Sequence, residues 1–100
     1  MLDISSFEFF KQLTKLSYIQ EIWLFGSRAR GDNQDRSDID LAVLCPEATI
    51  SEWLYIKDIV EQARTLLSVD CIRLDGLRDD SELKKSIIRE GIQLYERSKS

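Results

Sequence analysis

One segment in the first half of the chain constrains its fold and chemistry more than any other. A Gly26-Ser27 pair follows the apolar run 22–25, and ten residues separate Ser27 from an Asp38-Ile39-Asp40 triplet that opens a second apolar run. Alternate residues of a strand share a face and lie roughly 7 Å apart. Asp38 and Asp40 are therefore expected to aim two carboxylates at one place, at the mouth of the core.

Two neighbouring carboxylates repel each other unless a proton or a cation lies between them. Oxygen ligands of this kind suit Mg²⁺, which takes one or two protein carboxylates and completes its shell with substrate phosphates. A glycine turn on the same scaffold lets backbone N–H groups approach those phosphates. Taken singly, an Asp-x-Asp is often only a solvated strand edge, and Gly-Ser an ordinary turn. Together they predict a metal-dependent site for a nucleoside triphosphate.

This segment, Gly-Ser-Arg-Ala-Arg-Gly-Asp followed by Ser-Asp-Ile-Asp-Leu-Ala-Val, resembles the signature of the polymerase-beta-like nucleotidyltransferase superfamily. It is most similar to the minimal nucleotidyltransferases of the MntA antitoxin type. The resemblance spans nearly the whole chain and includes the segments 69–72 and 88–95. Strands that alternate with helices predict an α/β domain. The resemblance implies a small mixed β-sheet flanked by helices, with the carboxylates at one end.

Phosphoryl transfer with two metal ions usually needs a third acidic ligand, for which Asp70 and Asp75 are candidates. Asp70 heads the third expected strand as Asp38 heads the second. Asp75 precedes a glycine, and Asp-Gly is a strong turn signal. If both lay on one strand, five positions apart, they would face opposite sides of the sheet. We assign Asp70 as the ligand, as the resemblance also implies, and Asp75 as a turn residue.

The resemblance implies the remaining site residues. Gly26 and Ser27 would hold the triphosphate of ATP, and Asp38, Asp40 and Asp70 would be the catalytic residues and the ligands of two Mg²⁺ ions. Guanidinium groups beside a phosphate loop are effective clamps. Arg28 is therefore a further candidate for nucleotide binding, as is Arg30 less directly, with surface ion pairing as the alternative for both.

The resemblance also implies a partner and an acceptor. Proteins of the MntA type transfer AMP to a tyrosine of a helical HEPN-type RNase toxin and thereby silence it. One alternative is a binding-only antitoxin, although pure binding does not require an intact catalytic set. Others are a nucleotidyltransferase for a small molecule such as an aminoglycoside, which would need an extra domain, and an enzyme that adds nucleotides to nucleic acid.

Composition limits these alternatives. The 100 residues predict a single domain, 1–100. The net charge of −4 argues against direct nucleic-acid binding, because proteins that bind nucleic acid usually present a basic face. The absence of histidine excludes Ser-His-Asp catalysis and histidine-ligated zinc. No long apolar stretch or signal peptide is visible, so we expect a cytoplasmic chain without a membrane partner. Cys45 and Cys71 lie in or beside apolar runs and are expected to be small buried side chains.

Periodicity and capping signals predict the elements of the domain. The predicted strands are 18–25, 38–44, 69–74 and 92–95, with a helical turn at 27–31 and a polar loop at 31–37 between the first two. A first helix is capped by Ser5 with Glu8, and a second is capped by Thr49 with Glu52 and runs to about 67. The last helix is capped by Asp80 or Ser81 and runs to Glu90, with Gly91 as its C′ residue.

Overall fold

The computed structural model describes residues 3–31, 38–63 and 68–97. Helices and strands alternate along these ranges, as the sequence predicts. In chain order they are α1 (Glu8–Thr14), β1 (Glu21–Phe25), α2 (Ser27–Arg30), β2 (Ile39–Leu44), α3 (Ile50–Gln62), β3 (Val69–Arg73), α4 (Glu82–Glu90) and β4 (Ile92–Glu96). Short 3₁₀ turns at Ile4–Ser6 and Leu74–Gly76 complete the set.

The four strands form one mixed sheet in the order β3-β2-β1-β4. β1 pairs antiparallel with both β2 and β4, whereas β2 and β3 run parallel. A parallel pair needs a crossover connection, and α3 supplies it. This arrangement confirms the expected α/β fold, a small mixed sheet flanked by helices.

Side chains alternate between two cores on the two faces of the sheet. Ile39, Leu41 and Val43 of β2 belong to a larger core that also contains buried residues of α1 and α3. Ala42, between them, belongs to a smaller core with Ile87 of α4. The two-residue period of a strand sends neighbours to opposite faces. Asp40 therefore lies on the face covered by α4, away from α1 and α3.

The start of α3 follows its sequence signal. The Thr49 hydroxyl accepts the backbone N–H of Glu52 at 3.1 Å, and the Glu52 carboxylate accepts the N–H of Thr49 at 2.9 Å. This reciprocal capping box was predicted and is confirmed. The helix is described as far as Gln62, and the remainder of the predicted helix, at 64–67, lies outside the described residues.

The predicted cap at the start of α1 is wrong. The Ser5 hydroxyl donates to the carboxylate of Asp3 at 2.6 Å, and Asp3 caps the 3₁₀ turn Ile4–Ser6 instead. α1 begins two residues later than predicted, after Phe7, which has extended backbone and offers no side-chain cap. An aspartate two residues upstream competes for the serine, because short polar side chains readily bond to nearby groups.

The role predicted for Gly91 is also wrong in its mechanism. Ser81 caps α4 by accepting the N–H of Lys84 at 3.0 Å, as expected. Gly91 ends the helix in extended backbone, with φ of −73°, rather than in the left-handed conformation of a C′ glycine. A Cβ there would lie 3.1 Å from the Leu24 carbonyl oxygen and 3.2 Å from the Trp23 ring, and would overlap the Ile87 carbonyl oxygen. Gly91 is thus required by close packing against β1.

Two further expectations concern segment ends. β1 starts at Glu21, three residues later than predicted, and the polar loop predicted for 31–37 lies almost wholly outside the described residues. Within the described ranges, no helix combines the length and apolar character that crossing a bilayer requires.

Candidate active site

Three strands bring the predicted site residues to one end of the sheet. Phe25, the last residue of β1, pairs with Asp40 of β2. Asp40 in turn pairs with Asp70 in the parallel register of β2 and β3. Partners in register point to the same face, so the Asp40 and Asp70 side chains are neighbours. Asp38, two positions before Asp40, follows the same alternation and is exposed.

Gly26 lies directly against this carboxylate pair. Its backbone has φ of 78° and ψ of −155°, a combination open to glycine and strained for other residues. A Cβ at this position would collide with Oδ2 of Asp40. The chain therefore needs glycine here for two reasons, backbone conformation and the close approach of the carboxylate. The result is a bare stretch of backbone beside an acidic group.

The predicted helical turn after Gly26 is confirmed as α2. Gly31 ends it in the left-handed conformation, with φ of 81°, and donates its N–H to the Ser27 carbonyl oxygen at 2.9 Å. Ser27 and Arg28 are half-buried on this turn, and Arg30 is exposed. The strand, the glycine and the short helix together hold Ser27 at the same end of the sheet as Asp40.

Electrostatics confirm that these charged groups share one neighbourhood. Burial raises the pKa of Asp40, and the negative charges of Asp70 and Asp38 raise it further. The Arg30 guanidinium opposes them and lowers the pKa of the same carboxyl. The carboxylates of Asp38 and Asp70 thus place negative charge beside Asp40 at one edge of the sheet, which disfavours the ionised form of Asp40.

This donor set fits the magnesium ions that the sequence implies. Hard carboxylate oxygens are the protein ligands Mg²⁺ prefers, and a cation would relieve the repulsion that raises the pKa of Asp40. In the described part of the chain, no group of three or more aspartate, glutamate, cysteine or histidine side chains is placed so that it could hold a metal ion by itself. Mg²⁺ commonly keeps waters and substrate phosphates as ligands, so an open set of carboxylates is compatible with it.

Asp75 is not the simple turn residue that the sequence suggested. It lies in the 3₁₀ turn after β3, where Oδ1 accepts the backbone N–H of Cys45 at 2.8 Å and Oδ2 accepts Nε–H of Arg73 at 2.8 Å. Nη2 of Arg73 donates to the carbonyl oxygens of Cys45 and Ala48, each at 3.0 Å. Asp75 thus ties the far ends of β2 and β3 together, while Asp70 lies at the site.

Sequence reasoning missed this clamp of Arg73 and Asp75. The signal available was an arginine at the end of β3, but the two carbonyl groups to which it donates lie 25 and 28 residues away. Cys45 and Cys71, by contrast, are free and buried as predicted. Burial raises the pKa of Cys45 to about 11 and that of Cys71 to about 12, which makes both thiols poor nucleophiles.

Comparison with solved structures finds the same fold in other proteins. A chain of a mutant MntA–HpeT toxin–antitoxin complex is 26% identical, with a TM-score of 0.68, over 97% of this chain and 75% of that one. A chain of a toxin–antitoxin structure with AMP-PNP is 24% identical, with a TM-score of 0.66, over 92% and 74% of the two chains. A chain of the tri-AMPylated Shewanella oneidensis HEPN toxin in complex with MNT antitoxin is 23% identical, with a TM-score of 0.56, over 87% and 69%.

These structural matches establish the shared fold, and a comparison with curated protein sequences finds no match. The family assignment comes from a family sequence profile, polymerase beta, nucleotidyltransferase, which matches residues 8–100. The matched range contains the glycine turn, the three carboxylates and every strand of the sheet. The chain belongs to the polymerase beta nucleotidyltransferase family, as the segment from Gly26 to Val43 led us to expect.

Proposed function

We propose that this protein is a Mg²⁺-dependent nucleotidyltransferase antitoxin, which transfers AMP from ATP to a tyrosine of a HEPN-type RNase toxin. The observation that carries this proposal is the pairing of Asp40 with Asp70 beneath the backbone of Gly26. Membership of a nucleotidyltransferase family supports the reaction. The similarity to toxin–antitoxin complexes, one with AMP-PNP and one with a tri-AMPylated toxin, supports the nucleotide and the partner.

In this proposal Asp38, Asp40 and Asp70 hold the metal. Mg²⁺, when bound, would neutralise the triphosphate and stabilise the attacking and leaving oxygens. The backbone at Gly26 and the Ser27 hydroxyl bind the phosphates at the start of α2. We propose Arg28 as a further contact to the phosphates.

The acceptor hydroxyl attacks the α-phosphorus of ATP, its oxygen forms the new P–O bond, and pyrophosphate leaves. Asp70, which is exposed on the edge strand β3, accepts the proton of that hydroxyl. Positioning and charge neutralisation supply most of the rate enhancement for such a transfer. A site without histidine is therefore sufficient for this chemistry.

A binding-only antitoxin is the main alternative. It would have no use for three carboxylates that repel one another, since the raised pKa of Asp40 reflects an unfavourable arrangement. Functional sites commonly retain such perturbed groups because the chemistry requires them. The unfavourable placement of the Asp40 carboxylate, beside a position where a Cβ would have no room, favours the enzyme over the pure binder.

The proposal is tested with a co-expressed HEPN-type partner, ATP and Mg²⁺. We expect intact-mass spectrometry to show the partner gaining one or more AMP units, and peptide mapping to place them on tyrosine. The variant Asp38→Asn with Asp40→Asn should give no gain, because it removes two of the three charges that would hold the metal.

Three results would redirect the assignment. Transfer within tenfold of wild type by the double variant would remove Asp38 and Asp40 from the site. A partner that is neutralised by this variant without gaining mass would establish the binding-only alternative. Labelling of aminoglycosides or RNA ends in place of the partner would leave the nucleotidyltransferase chemistry and refute the antitoxin role.

A further inference from the structure

The outward face of α3 carries large apolar side chains that the fold does not use. The inward face is fully engaged, since Ile56, Ile59 and Val60 are buried in the larger core. On the outside, Ile50 is 77% exposed and Leu54 is 60% exposed. They are four residues apart and therefore neighbours on the helix surface.

Tyr55, the next residue along α3, is also large and is 53% exposed. Single exposed apolar residues are common, but a cluster of large ones on one element is typical of interaction sites. Aromatic and large aliphatic side chains are also the usual anchors of such sites. We refer to Ile50, Leu54 and Tyr55 as the α3 patch.

The stretch of chain that contains the α3 patch is acidic. The stretch 45–63 contains four carboxylates and a single basic side chain, Lys57, which gives it three of the four net negative charges of the chain. The four acids are Glu47, Glu52, Asp58 and Glu61.

The lysine does little to offset these acids at the patch. Nζ of Lys57 donates to the Cys71 carbonyl oxygen at 2.9 Å and lies 5.9 Å from the centre of the Trp53 ring. Its charge is therefore directed toward β3. Next to the patch, burial raises the pKa of Tyr18, and the negative charge of Glu52 raises it further. Acidic side chains thus outnumber basic ones along the stretch that carries the apolar side chains.

We propose that the α3 patch docks a basic amphipathic helix of the partner protein. Apolar side chains of that helix would cover Ile50, Leu54 and Tyr55, and its lysines or arginines would face the surrounding carboxylates. Complementary charge of this kind speeds association and selects partners. A second copy of this chain fits less well, because it would bring the same acidic stretch against itself.

Docking at this place leaves the candidate active site open. α3 packs on the face of the sheet that contains Ile39, Leu41 and Val43, whereas Asp40 lies on the other face. Binding and nucleotide transfer are thus assigned to different surfaces. This inference rests on the proposed function for the identity of the partner, but the two can fail separately.

The docking proposal is tested with a synthetic helical peptide that has leucine along one face and lysine elsewhere. In spectra of the ¹⁵N-labelled protein, we expect its addition to shift backbone resonances in 50–58. Leu54→Glu should weaken binding at least tenfold, because it buries a charge in the apolar centre. Asp58→Lys should also weaken it, and high salt should do the same through screening.

Ile88→Glu is the matched control. Ile88 is 55% exposed, is on α4 and undergoes the same change, so peptide binding should stay within twofold of wild type. The double variant Asp38→Asn with Asp40→Asn should bind the peptide as wild type does, even though it transfers no AMP. Loss of transfer with retained binding would thus separate the two proposals.

Several outcomes would overturn the docking proposal. These are equal affinity of the Leu54→Glu variant and the wild type, resonance shifts confined to other elements, or equal binding of a peptide with glutamate in place of lysine. Sedimentation that shows a wild-type dimer dissociated by Leu54→Glu would assign the patch to self-association instead.

Discussion

At the scale of single residues, two described glycines hold backbone with positive φ, but their surroundings differ. Gly26 has φ of 78° and faces the Asp40 carboxylate, whereas Gly31 has φ of 81° and no neighbouring atom within 4 Å of the place that a Cβ would occupy. The same substitution at both therefore compares a strained position in contact with the site with a strained position away from it. Strain costs about 1–2 kcal/mol for a non-glycine residue in the left-handed conformation of Gly31, whereas Gly26, with ψ of −155°, lies in a region essentially restricted to glycine.

We expect Gly26→Ala to weaken ATP binding strongly, because the new methyl group must displace Asp40 from its place beside Asp70. Gly31→Ala should lower the free energy of unfolding by about 1–2 kcal/mol and change ATP affinity little. Calorimetric titration with ATP and Mg²⁺, together with urea unfolding, measures both quantities. Equal losses of ATP affinity in the two variants would mean that the Gly26–Asp40 contact has no role in the site.

At the scale of elements, β3 and the turn after it carry two acids with different roles. Asp70 is exposed at the site end, and Asp75 at the other end is bonded to Cys45 and Arg73. Asp70→Asn should abolish transfer without loss of stability, since it relieves repulsion with Asp40. Asp75→Asn should lower the free energy of unfolding by about 1–3 kcal/mol, because it breaks a partly buried ion pair.

Urea unfolding and transfer rates per folded molecule, compared for the two variants, check this division. The Asn side chain at 75 can still accept the N–H of Cys45, so the variant isolates the contribution of the Arg73 pair. An active Asp70→Asn protein, or an Asp75→Asn protein of full stability that has lost transfer, would reverse the roles that we assign to the two acids.

The elements also show what local sequence can and cannot predict. Strand β2 and the cap of α3 depend on neighbours within a few residues, and both follow their signals. The cap of α1 was misplaced because Asp3, just upstream, competes for Ser5. Gly91 was recognised as special, yet glycine is needed there because a Cβ would overlap the Ile87 carbonyl oxygen and crowd Leu24 of β1, some 67 residues earlier, rather than because of a left-handed backbone.

The site follows the same rule. Spacing, strand position and the family resemblance predict Asp38, Asp40 and Asp70 as site residues, and the structure brings them to one end of the sheet, while their catalytic role stays a prediction. The clamp at Asp75 joins groups 28 to 30 residues apart, and no periodicity connects them. Contacts that depend on how β2 and β3 align become visible only in the folded sheet.

At the scale of the whole molecule, the site is expected to lower the stability of the metal-free protein. The pKa of Asp40 is raised above its ordinary value of 3.8, so the folded state binds the proton more tightly than the unfolded state does. Ionisation of this carboxyl therefore destabilises the fold, and the penalty is fully present above the folded pKa. It is relieved as the pH falls through that value.

Without metal at neutral pH, the variant Asp38→Asn with Asp40→Asn should therefore unfold at a temperature equal to or above that of wild type. Addition of Mg²⁺ should raise the wild-type midpoint, since a ligand that binds only the folded state stabilises it, and should leave the variant unchanged. Thermal unfolding followed by circular dichroism measures both effects. Equal responses of the two proteins to Mg²⁺ would place the metal elsewhere.

The parallel pairing of β2 and β3 also affects the stage of folding at which the site residues meet. An antiparallel pair such as β1 and β2 can close early, but a parallel pair must wait for its crossover, here α3, to return the chain to the starting edge. Asp40 and Asp70 therefore meet late in folding. During synthesis, a nascent chain that ends before β3 contains Asp38 and Asp40 but lacks Asp70, so the set of three acids that we propose as the catalytic centre forms only when β3 joins the sheet.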